Sequence, residues 1–137
     1  MSGGGRDPAT ALQAALVAAV GTVVTTFDAP PVRAALPHAV VEDAVLARWG
    51  GAGIDGREGR VRIALHDAGE RPVRLRALAA EAEAAVAALS GAIDGGWRVV
   101  ALRLVRSRIV KSGGVKSGGG DRWTATGEFA VKIYRER

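Results

Sequence analysis

The sequence predicts an α+β fold: two helices packed on one face of a largely antiparallel four-stranded sheet, in the order α-β-β-α-β-β. Three observations predict it. Apolar residues recur at helical spacing near the start of the chain and again at its centre. Residues 60–66 and 122–134 alternate apolar and polar side chains at the period of a strand. Clusters of glycine and proline punctuate these segments. Of the 137 residues 66 are hydrophobic, and removing the 27 alanines leaves 39 larger apolar side chains. That suffices for one core, burying roughly 65–70% of the unfolded surface. Residues 1–7 are expected to be a flexible leader and 8–137 a single domain.

Asp7-Pro8 starts the first helix, with Asp as N-cap and Pro at the first helical position. Leu12, Leu16, Ala19, Val20 and Val23 form its apolar face, and the β-branched run from Gly21 ends it. Three prolines between Asp28 and Pro37 mark a connecting loop. Composition favours a strand from His38 to Trp49, with an alanine-rich helix as the alternative. Five glycines between Gly50 and Gly59, including the turn dipeptide Asp55-Gly56, predict a turn. Beyond it, Val61, Ile63 and Leu65 share one face of a strand that pairs back as a hairpin. Pro72 opens the second helix, whose stripe is Leu75, Leu78, Ala82, Val86 and Leu89, with Glu81 and Glu83 off it. Ser90-Gly91 and Asp94-Gly95-Gly96 stop that helix. Trp97 to Lys111 forms a strand that begins apolar and turns basic. Arg122 to Tyr134 forms another, with Trp123, Ala125, Gly127, Phe129, Val131 and Ile133 inward. The loop between them, Ser112 to Gly120, is expected to be mobile in a free subunit and ordered on assembly.

Composition removes several classes of function. The chain has no cysteine, which excludes a disulfide scaffold and a zinc–thiolate site and makes an intracellular compartment the default. No apolar run approaches the ~20 residues of a membrane span, and the leader lacks the features of a signal peptide or a myristoylation site. Charge is uneven: residues 1–96 carry nine Lys/Arg against eleven Asp/Glu, and residues 97–137 carry ten against three. That asymmetry points to a polyanion or an acidic partner near the C-terminal hairpin.

Catalytic signals are weak. Gly114-Val115-Lys116-Ser117 carries a Lys-Ser pair, but Val115 stands where a phosphate-binding loop requires glycine, and a strand comes next instead of a helix. His38 and His66 are the only histidines, and neighbouring His66 and Asp67 on a strand point to opposite faces. No serine elbow or cysteine nucleophile accompanies them. Glu42-Asp43 is likewise split across a sheet and offers no convergent metal ligands. No catalytic, cofactor or metal site is expected. The basic hairpin is the feature of substance: Arg106, Arg108, Lys111, Lys116 and Arg122 can follow a phosphate backbone without reading bases. Its sparse aromatics, with Trp123 on the apolar face, disfavour stacking on unpaired bases.

Two stretches carry a resemblance. One runs from Arg60-Val61-Arg62-Ile63-Ala64-Leu65-His66 through Gly69-Glu70-Arg71 into the alanine-rich helix ending near Leu89. The other is Val99-Val100-Ala101-Leu102-Arg103-Leu104-Val105-Arg106-Ser107-Arg108, a glycine-rich turn and a final alternating strand. Together they resemble the tail terminator (tail completion) proteins of long-tailed phages and gene transfer agents, over most of the chain after about Ala39. The resemblance implies a homohexameric ring at the head-proximal end of a tail tube. Such a ring ends tube polymerisation, binds the tail tube protein and the head-completion (stopper or connector) protein, and lets DNA through its lumen. It implies no catalysis, no cofactor and no membrane, with assembly in the cytoplasm and a final place at the tail–head junction. Alanine and glycine supply 46 of the 137 residues and arginine outnumbers lysine sixteen to three, as a GC-rich bacterial genome would produce. The five basic residues would then lie against DNA in the lumen or at a subunit interface. Two other classes stay open: a small basic nucleic-acid-binding protein using the hairpin, and a small enzyme with an unfamiliar site.

Overall fold

A computed structural model describes residues 7–112 and 121–137. Residues 1–6 of the leader and residues 113–120 of the glycine-rich loop, Lys116 among them, lie outside the described residues.

Helix α1 spans Pro8–Val20, and the Asp7 carboxylate accepts a hydrogen bond from the Thr10 amide, as an N-cap should. Its Ala11, Leu12, Leu16 and Val20 are fully buried. Helix α2 spans Val73–Ala87 and buries Leu75, Ala82 and Val86. Both helices contribute to one core with the inner face of the sheet, where Val61, Ile63 and Leu65 meet Phe129, Val131 and Ile133. The expected α+β layering is present.

The sheet is larger and more mixed than four antiparallel strands. It contains β1 (Thr26–Phe27), β2 (His38–Val41), β3 (Val45–Trp49), β4 (Ile54–Ala68), β5 (Gly91–Ala92), β6 (Arg98–Ser112) and β7 (Arg122–Glu136). Their order is β1-β2-β4-β7-β6-β5, with β3 also pairing β4 and β1 parallel to β2. Three of the four expected strands are present as the long antiparallel strands β4, β7 and β6. The expected single strand 38–49 is broken at Glu42–Ala44 into β2 and β3, both lying along the same edge of β4.

The turn expected from Gly50 to Gly59 is shorter, because β4 already begins at Ile54. Asp55-Gly56 is strand, not turn. Gly56 and Gly59 are glycine for a packing reason: a Cβ at Gly56 would stand inside the Trp49 indole, and one at Gly59 inside the Val45 carbonyl. Strand β3 thus crosses β4 too closely for any side chain at either position. The Trp49 indole nitrogen donates to the carbonyls of Arg57 and Ile133, each at 3.1 Å, which ties this edge across β4 to β7.

The end of the sheet nearest this turn is held by an ionic clasp. Trp97 is fully buried, with the Arg57 and Arg135 guanidinium groups 5.5 and 4.3 Å from its ring centroid. Asp55 pairs with both arginines, and the Arg57 bond in particular holds its carboxyl below the ordinary value.

Candidate functional site

Charge collects on the side of the sheet turned away from the helices. Cross-strand partners share a face, so register assigns each residue. Val61 stands opposite Phe129 and Leu104 opposite Phe129 on the inner face. The residues between them point outward. Strand β4 sends Arg60 and Arg62 to that outer face, β6 sends Arg98, Arg103, Arg106 and Arg108, and β7 sends Arg122 and Lys132. Glu58, Glu128 and, at the end of β7, Glu136 oppose them on these three strands.

Strict alternation along β6 would not produce this face. From inward Val99 it would turn Arg103 into the core and Leu102 outward. Register shifts between Val99 and Ala101 and between Leu104 and Arg106 reset the parity twice. Each inserts one unpaired residue and re-aims the side chains beyond it. Leu102 and Leu104 therefore face Val131 and Phe129, while all four arginines of the strand face out. Arg106 and Arg108 are two residues apart, about 7 Å along the strand, which is within the ~8 Å screening length at physiological salt. Their fields add.

Glu128 organises the middle of this face. One carboxylate oxygen lies 3.2 Å from Arg106 Nε and the other 3.6 Å from Arg60 Nη1, bridging β6 and β4 across β7. Among the described residues Arg62, Arg103, Arg108 and Arg122 make no ion pair, and all four are exposed. Lys132 Nζ sits 4.3 Å over the Trp49 ring. That indole, covered by Lys132 and hydrogen-bonded to the main chain, is no platform for an unpaired base.

The sequence-predicted residues divide. Arg106, Arg108 and Arg122 share the outer face. Lys111 does not join them: it pairs across from Trp123 on the inner side, where its ammonium is 3.1 Å from Asp121 and 6.0 Å from the Trp123 centroid. Sequence reasoning missed Arg60 and Arg62, which the charge count placed in the acidic part of the chain. Their alternation with Val61 and Ile63 was the signal that could have found them.

The histidines are placed for no catalytic step. His38 and His66 are register partners on the outer face, ring centroids 5.1 Å apart. His66 Nδ1 is 3.2 Å from the Thr124 hydroxyl, and burial, then His38 and Arg122, push its pKa below the ordinary value. Asp67 faces the other way and is buried. It accepts two hydrogen bonds from Arg74, at 2.9 and 2.6 Å, and one from the Ala68 amide at 2.8 Å, so its pKa is lowered. Asp67 thereby fastens α2 to β4. Among the described residues no three His, Asp or Glu side chains converge as a metal site, and no helix is long and apolar enough to cross a membrane.

The family model for tail completion protein gp17 matches residues 10–118, most of the chain. The chain belongs to the tail completion protein family. Its family is one of structural proteins of phage-like tails, so this tail completion protein is not an enzyme. A search of curated proteins returns no match. Among solved structures it is similar to a chain of the virion of a native gene transfer agent particle. The TM-score is 0.73 at 18% identity, over 92% of this tail completion protein and 96% of that chain. The two share a fold.

Proposed function

We propose that this tail completion protein forms a ring, expected to be a homohexamer, at the head-proximal end of a phage-like tail tube. The ring ends tube polymerisation and joins the tail to a head-completion protein, and DNA passes through its lumen. It assembles in the cytoplasm and ends at the tail–head junction of the particle. Family membership and the fold shared with a gene transfer agent virion chain support this reading. The observation that carries the DNA contact is the outer sheet face, where β4, β6 and β7 align eight cations against three carboxylates.

Arginines on a rigid strand attract phosphates regardless of sequence, which is what a conduit requires. Arg106, Arg108 and Arg122, joined by Arg60, Arg62 and Arg103, line the lumen in this proposal. Lys111 serves contacts with neighbours at the adjoining end of the hairpin, and Lys116 lies outside the described residues. The test is a double reversal on the two central strands, Arg62→Glu with Arg122→Glu. Both side chains are exposed, so monomer stability should change by less than about 0.5 kcal/mol per site. Particles should still assemble, and DNA delivery should fall at least tenfold. Delivery at the wild-type level would remove the outer face from the DNA path. Strong, salt-dependent DNA binding by the isolated monomer would instead favour a free nucleic-acid-binding protein.

A further inference from the structure

His38 and His66 are the only histidines of the chain, and the antiparallel register of β2 and β4 makes them direct partners. Their ring centroids are 5.1 Å apart and the ring planes are tilted by 38°. An ion about 2.0–2.1 Å from each Nε2, at a tetrahedral angle, places two imidazole centroids about 5 Å apart. In-plane lone pairs reach one ion only where the ring planes intersect. Stacked, parallel rings do not allow this; tilted ones do.

The other nitrogen of each ring is already engaged. His38 Nδ1 is 3.2 Å from the Ala35 carbonyl oxygen, which can only accept. That nitrogen therefore carries the proton, and the neutral ring leaves its lone pair on Nε2. His66 Nδ1 is 3.2 Å from Thr124 Oγ1, which accepts from Nδ1–H in the same tautomer. Metal-bound histidines are oriented in this way, by an outer hydrogen bond at the second nitrogen. Phe27 restrains the His38 ring further, edge-on at 5.7 Å. Both histidines are half-buried in the wall of an open groove of about 910 Å³, so an ion can enter. Asp28, Glu42 and Asp43 line that groove against Arg33 and Arg122, a balance that favours a cation.

We propose that His38 Nε2 and His66 Nε2 together hold one divalent transition-metal ion of the zinc, nickel or copper class. Imidazole nitrogen suits these ions, whereas magnesium and calcium take oxygen donors. Two protein ligands leave the remaining positions to water or to a side chain of a neighbouring protein. The ion ties β2, a strand of four residues, to β4. Through the His38–Ala35 hydrogen bond it also steadies the proline-rich loop that precedes β2. The site lies within one subunit and does not rest on the ring.

The test uses the full-length, untagged protein with zinc, nickel, copper or magnesium chloride alone. The chain has no cysteine and no further histidine, so no other imidazole or thiol competes. Calorimetry should show one zinc or nickel ion bound per chain, copper bound more tightly, and no saturable magnesium binding. Zinc should also raise the thermal unfolding midpoint, because it binds the folded pair. In ¹⁵N spectra both Nε2 resonances should shift together and saturate at one zinc per chain, while both Nδ1 atoms stay protonated. His38→Ala and His66→Ala should each abolish saturable zinc binding. Thr124→Val keeps both ligands and should weaken binding about tenfold, the loss expected when an outer hydrogen bond is removed. The wild-type spectra decide the question even where an alanine variant fails to fold. Zinc binding that survives loss of either histidine, or magnesium binding as strong as zinc, would assign the ion to the carboxylates of the groove and overturn the site. Shifts confined to one ring would overturn the bridge between the strands.

Discussion

Phe129→Ala is the sharpest probe of the packing that aligns the outer face. Phe129 is 2% exposed, its neighbours across the sheet are Val61 and Leu104, and α2 lies over it. Gly127 makes room for the ring, since a Cβ there would stand 3.2 Å from Phe129 Cε1. Losing the ring forfeits about 1.5–3 kcal/mol of transfer free energy. The vacated space, roughly 80 Å³ at about 24 cal/mol per Å³, adds about 2 kcal/mol if it stays empty. Phe129 also borders the open cavity beside β6, so water enters part of that space and the second contribution shrinks. The expected loss is about 3–4 kcal/mol, in the range of aromatic-to-alanine core changes. Urea unfolding followed by tryptophan fluorescence reads it, because Trp97 is fully buried and changes environment on unfolding. Phe129→Leu should lose less than about 1.5 kcal/mol. A loss within about 0.5 kcal/mol for the alanine variant, as at a surface site, would mean the register of β7 is wrong and the outer face with it.

Gly59→Ala should lower the unfolding midpoint more than Gly56→Ala, since the first collides with backbone and the second with a side chain that can tilt; equal, negligible effects would refute the close crossing of β3 over β4. Asp67→Asn should cost about 1.5–3 kcal/mol at pH 7, the worth of hydrogen bonds to a charged group. The folded pKa of Asp67 lies below its unfolded 3.8, so its contribution is complete above that value and is lost as pH falls through the folded pKa. The gap between variant and wild type should therefore close in strong acid, and a gap that persists there would contradict the ion pair. His66 titrates lower in the folded state than its unfolded 6.5, so its contribution is present above that value and declines as pH falls through the folded pKa. Replacing His38 and His66 with glutamine should flatten that slope and leave particle assembly intact, whereas loss of a chemical activity would reveal a site the structure does not explain.

Much of this was legible because local rules and tertiary context agree. Asp7-Pro8 starts a helix in any setting, and the period-2 run from Trp123 to Ile133 leaves one register that buries Phe129. The hairpin order and both helical stripes came from the same periodicities. What the sequence concealed depends on other strands. Gly56 and Gly59 read as turn residues until β3 is laid across them, for their small size answers to Trp49 and Val45 and not to local geometry. Two bulges in β6 hide its period, so the strand looks apolar first and basic later when it is two-faced throughout. Strands β1 and β5, two residues each, carry too few residues to show a period. The candidate face was legible as charge but not as a surface: Lys111 turned to Asp121, and Arg60 and Arg62 came from a segment whose net charge is acidic.

Negative-stain electron microscopy of the purified full-length protein, alone and added to polymerising tail tubes, tests the central proposal most directly. Closed rings of tail-tube width should appear, seated at one end of each tube, with tube growth stopped where they sit. A protein that stays monomeric, leaves tube ends bare and does not limit tube length would contradict the ring and the terminating role together.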